Sequence, residues 1–69
     1  MKVSARNLLE GTIVEVQKGA TTAHVQIKLN GGEIVTASIT NEAVDELQLA
    51  KGKKAHALIK SSDVMVAVD

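Results

Sequence analysis

TNEAVDEL, Thr40 to Leu47, is the stretch of this 69-residue chain where the apolar period changes, and its reading decides between two small β-folds. Thr40 or Asn41 can cap a helix N-terminus, since a short oxygen-bearing side chain accepts from the free backbone N–H groups of the first turn. Glu42 and Asp45 then carry negative charge where the helix dipole favours it, and Val44 and Leu47 recur at i, i+3. The segment therefore predicts a short helix.

Around it the period is two. In AHVQIKLN, Ala23, Val25, Ile27 and Leu29 point one way and His24, Gln26, Lys28 and Asn30 the other, the pattern of a half-buried strand. Leu8 to Gln17 reads as the strand before it, with KGATT as the connecting turn, and Asn30-Gly31-Gly32 turns the chain into a third strand, Ile34 to Ile39. Beyond the helix, KGKK at 51 to 54 leads into AHALIK, where Ala55, Ala57 and Ile59 alternate. After Ser61-Ser62-Asp63, VMVAV reads as a fifth strand with Val64, Val66 and Val68 on one side. Three strands, a helix and two strands are the order of an all-β, five-stranded OB-like barrel, whose helix lies between strands three and four; the competing SH3-like barrel has no such helix. With no proline, low-complexity tract or composition break, residues 1–69 read as one domain.

Composition points to self-association. Hydrophobic residues make up 45% of the chain, yet Phe, Tyr, Trp and Cys are absent, so neither aromatic packing nor disulfides can support a domain this small. A chain of this size buries only about 60% of the surface its unfolded form exposes. Association across subunit faces is the support left. His24 and His56 stand apart from any carboxylate or thiolate at ligand spacing, and read as surface strand residues rather than metal ligands.

Eight basic and eight acidic residues cancel without forming blocks. Single-stranded nucleic acid is bound by aromatic platforms in basic grooves, and both are missing, so no nucleic-acid partner is expected. No nucleophile motif, phosphate loop or carboxylate–histidine constellation supports catalysis. MKVSARN lacks the apolar core of a leader, and no segment approaches the roughly 18 apolar residues of a membrane span. A cytoplasmic binding protein with no membrane contact is expected.

The remaining signal is a set of donors at element ends. Ser4, Arg6 and Asn7 precede strand one, Lys60, Ser61 and Ser62 follow strand four, and Thr40 and Asn41 open the helix. An oxyanion accepts hydrogen bonds and donates none, so guanidinium, ammonium, hydroxyl and backbone N–H groups are its natural ligands. Taken singly, each has a plainer role: Arg6 in a surface ion pair, Lys60 as a solubiliser, Ser61-Ser62-Asp63 as a turn, Thr40 as a cap.

Together, VSARNLLEGTIV, the Ile39-Thr40 that ends strand three, and ALIKSSDVMV resemble the molbindin family, small Mop-type domains that bind molybdate and tungstate. The resemblance covers nearly the whole chain and is to the free-standing, single-domain members. It implies an OB-like barrel assembled as a homohexamer, a trimer of dimers, that holds oxyanions at subunit contacts and serves their storage or homeostasis. Carried over by motif, Ser4, Arg6, Lys60 and the Ser61 backbone would form one wall of an interface site, and Thr40 and Ala43 of a neighbouring subunit the other. Many members have serine where this chain has Ala43. The resemblance also implies a second site on the threefold axis, matched in position by Gly19, Ala20, Thr21 and Thr22. No catalytic cofactor is implied. The alternative from a different class is an oligomeric interaction module that recognises a protein partner or a pterin-type ligand.

Overall fold

In the computed structural model, which describes residues 1–69, the alternating run around Val25 becomes β2 (Thr22–Leu29), paired antiparallel to β1 (Asn7–Lys18) on one side and β3 (Ile34–Thr40) on the other. A six-residue helix, α1 (Asn41–Glu46), follows, then β4 (Lys54–Ile59), which pairs with the first half of β1, and one turn of 3-10 helix at Ser61–Asp63. The sheet order is β3-β2-β1-β4. The helix stands where an OB-like chain requires it.

β1 gives the sheet its curl. Residues 7 to 12 pair with β4 and residues 11 to 18 with β2, so only Gly11 and Thr12 are shared. Gly11 is the inward residue of this overlap, where a Cβ would lie 2.4 Å from the Lys28 carbonyl oxygen and 2.8 Å from Ile27 Cγ2. Only glycine lets the strands approach this closely. Directly after it the register shifts between Ile13 and Glu15, a bulge that bends β1 and increases its twist.

Inside the curl lie Ile13, Ala23, Val25, Ile27, Val44 and Ala57. Val44 is the only buried residue of α1, and it plugs the core from the helix side. Thr40 is the N-cap, its hydroxyl accepting from Ala43 N–H at 3.0 Å. At the other end Gln48 adopts a left-handed φ of 53°, Leu49 N–H reaches the Val44 carbonyl, and Lys53 Nζ donates to the Leu47 and Gln48 carbonyls at 2.7 and 3.2 Å. These bonds satisfy the orphan carbonyls of the last turn.

The expected fifth strand is corrected. Val64 to Asp69 form no strand within the chain, which leaves four strands and a half-barrel instead of a closed five-stranded barrel. The 3-10 turn directs the run away from its own sheet, and Met65, Val66 and Val68 are each about nine-tenths exposed. Between the free edges of β3 and β4 an open apolar groove of about 660 Å³ remains, floored by Ile13, Val25 and Ile27. The radius of gyration, 12.6 Å, exceeds the roughly 11 Å of a compact chain this long, as a protruding tail requires. Only seven of 69 residues are buried, so the core of one copy is as thin as its composition suggests.

Candidate functional site

The first wall is built by register. Asn7 and Ile59 are the last pair of the β1–β4 ladder, so Arg6 and Lys60, one residue beyond on each strand, emerge opposite each other at one corner. Asn7 Nδ2 donates to the Ile59 carbonyl at 3.1 Å and ties the corner shut. Arg6 Nε donates to the Ser4 carbonyl at 3.2 Å, folding the N-terminal segment back on itself. Ser4, Arg6, Lys60 and Ser61 thus come together, all exposed.

No carboxylate neutralises them. Lys18 pairs with Asp45 at 2.6 Å and the His56 imidazole lies 3.7 Å from a Glu10 carboxylate oxygen, and neither contact touches this corner. Asp63, the nearest acid in sequence, makes no ion pair. The plainer reading of Arg6 as half of a surface ion pair therefore fails. Two like charges held side by side without a counter-charge favour an incoming anion.

Thr40 and Ala43 lie at the far end of the molecule. Thr40 pairs with Thr22 beyond the β1 terminus Lys18, so the length of the curled strand β1 lies between them and Arg6. One copy cannot close both walls around one small anion. Ala43 N–H is already given to the Thr40 hydroxyl, whose own hydrogen stays available for donation.

Beside this second wall is a polar recess of about 270 Å³, lined by Gln17, Lys18, Gly19, Thr22 and His24. Of the four turn residues expected at a second site, Gly19 and Thr22 line it, while Ala20 and Thr21 do not. Asn41 stitches the turn to the helix: its backbone N–H reaches the Thr21 carbonyl at 2.9 Å and its Nδ2 the Gly19 carbonyl at 3.0 Å. Its buried Oδ1 has no partner. Lys18 reinforces the joint through Asp45 of α1. Gln17, Lys18 and His24 are absent from the sequence-based set, although Gln17 and His24 are cross-strand partners flanking the turn, a signal the strand pattern already contains.

Three comparisons bear on this arrangement. Residues 3–66 match the family model of the TOBE domain. A probable molybdenum-pterin-binding protein of Haemophilus influenzae is 44% identical over 69 residues, the full length of both chains. Among solved structures, apo MopII from Clostridium pasteurianum superposes with a TM-score of 0.92 at 39% identity, covering 97% of this chain and all of that one. The cytoplasmic molybdate-binding protein ModG, in a molybdate-bound form, gives 0.90 at 45% identity; 94% of this chain matches 46% of ModG. No helix here is long and apolar enough to cross a membrane.

Proposed function

Because the chain belongs to the TOBE-domain family, we propose that it binds molybdate or tungstate at contacts between copies of itself, storing or buffering the oxyanion without chemical change. The observation that carries this reading is the Arg6–Lys60 corner: two uncompensated cations brought together by register, with the complementary donors roughly a strand length away. Two positive charges match a dianion. The charge-assisted bonds of Arg6 and Lys60 offset the loss of its hydration, while the Ser4 hydroxyl and Ser61 backbone fix its orientation. Thr40 of a second copy completes the shell by donating its hydroxyl hydrogen. Ala43 has no side-chain donor and its N–H is engaged, so it shapes the wall without holding the ligand.

The assembly follows from the tail. Val64 to Val68 span roughly 17 Å as a strand, against roughly 20 Å for the six residues of β4, so the run fits the free edge beside the apolar groove of another copy. Seated there, Val64, Val66 and Val68 would enter the groove and Met65 and Ala67 would face out. Reciprocal exchange gives a dimer, and three dimers give the hexamer that places Arg6 of one copy against Thr40 of another. The hydrogen-bonding recess at Gln17, Lys18, Gly19, Thr22 and His24, with Lys18 paired to Asp45 and Gly19 to Thr22 forming its turn, is the second oxyanion position. A cytoplasmic location accords with this role.

The groove also favours a second reading, an interaction module for a protein partner or pterin-type ligand, because it is largely apolar and open. Titration calorimetry with molybdate, tungstate, sulfate and a pterin, paired with native mass spectrometry, separates the two. Molybdate binding weakened by Arg6→Ala, with bound anions counted on a hexamer, is expected. Pterin heat without molybdate heat would transfer the assignment to the groove.

A further inference from the structure

We infer that the single turn Ser61–Asp63 is a hinge through which bound oxyanion controls release of the C-terminal run; this rests on the reading above of both the site and the tail. The turn joins the two features directly. Lys60, a member of the charged corner, is its N-cap, and Val64, the first residue of the tail, is its C-cap. Three residues at about 2 Å rise place the corner within roughly 8 Å of the tail.

The two ends of the turn differ in rigidity. Upstream, the β1–β4 ladder and the Asn7 amide hold Ile59 in place. Within the turn, two backbone bonds, Asp63 N–H to the Lys60 carbonyl at 2.9 Å and Val64 N–H to the Ser61 carbonyl at 3.3 Å, are all that fix the chain direction. No side chain caps it and none of its residues is buried. Val64 is extended and Lys60 lies outside the helical region, with ψ of 124° and 138°, so a change of tail direction is absorbed between them.

An anion held by Arg6 and Lys60 is anchored to the rigid upstream side of this pivot, while Thr40 of another copy grips the same anion and so ties the two copies together across the turn. The tail can then leave its groove only after the anion has gone. Release from the anion-free form alone makes the exchange rate fall as one plus the ratio of free ligand to Kd, about 100-fold at a hundredfold excess. The site thus sets how long subunits stay partnered.

Mixing a nitrogen-15-labelled pool with an unlabelled one and following hetero-oligomers by native mass spectrometry, with and without molybdate, tests this; calorimetry in the same buffer supplies Kd. The expected result is a slowing of about 100-fold at a hundredfold excess. A variant with two glycines inserted between Ser62 and Asp63 should still bind molybdate yet slow by no more than about tenfold, because a flexible spacer uncouples the pivot. Should that insertion unfold the chain, Ser62→Gly loosens the same turn at constant length and should weaken the slowing in the same direction. Molybdate heat with unslowed mixing, loosened variants slowed as strongly as the parent, or no mixing in anion-free protein overturns the hinge alone. Absence of molybdate heat overturns the oxyanion reading and the hinge with it.

Discussion

Arg6 donates to the Ser4 carbonyl and meets no carboxylate, so its positive charge is available for a ligand. Replacing it with alanine removes a charge-assisted bond worth about 1.5–3 kcal/mol, which is roughly a tenfold to hundredfold rise in molybdate Kd by calorimetry. Gly11→Ala tests a packing claim instead. Its Cβ would meet backbone at 2.4 Å, so the variant should lose about 1–3 kcal/mol in urea unfolding, or recover only by opening the β1–β2 overlap. Ser4, Arg6, Lys60 and Thr40 stand out in the sequence as side chains of the type an oxyanion accepts from, which is why they are the proposed donors. Their grouping does not. Only the antiparallel register puts Arg6 and Lys60 just beyond the same end of the β1–β4 ladder and Thr40 a strand length away, and only the cap geometry shows that Ala43 N–H is already taken.

At the level of elements, sequence spacing served best where one period held. The alternation of β2 and the helix over Asn41–Glu46 both appear, the latter with Thr40 as cap. The bulge in β1 was hidden because Ile13, Val14 and Val16 form a mixed apolar run with no clean period. The fifth strand does not form within the chain: alternation in VMVAV records strand propensity, which pairs with a sheet only where a free edge lies within reach, and the turn at Ser61–Asp63 leaves the run exposed. Gln48 makes a further test at this scale. It occupies the left-handed position after α1 that glycine adopts without strain, so Gln48→Gly should raise stability by about 0.5–1 kcal/mol with molybdate binding unchanged. A loss of stability would mean that the Gln48 side chain contributes packing that outweighs its backbone strain.

For the molecule as a whole, assembly should depend on six residues at one end. Ending the chain after Asp63, or introducing Val66→Asp, should shift sedimentation from the proposed hexamer to monomer and abolish molybdate heat at the proposed interface site, although Arg6 and Lys60 are untouched. The same hexamer with intact binding after truncation would assign assembly to other surfaces. The protruding tail has a wider consequence. A chain that bears both a plug and a socket can be satisfied in two ways: two copies trade plugs and nothing is left over, or each plugs into the next and every addition exposes a new socket. The second route has no natural stopping point and grows fibres. If the tail is exchanged as proposed, solubility at high concentration depends on reciprocity, and a change that redirects the turn at Ser61–Asp63 would favour a growing filament over a closed particle.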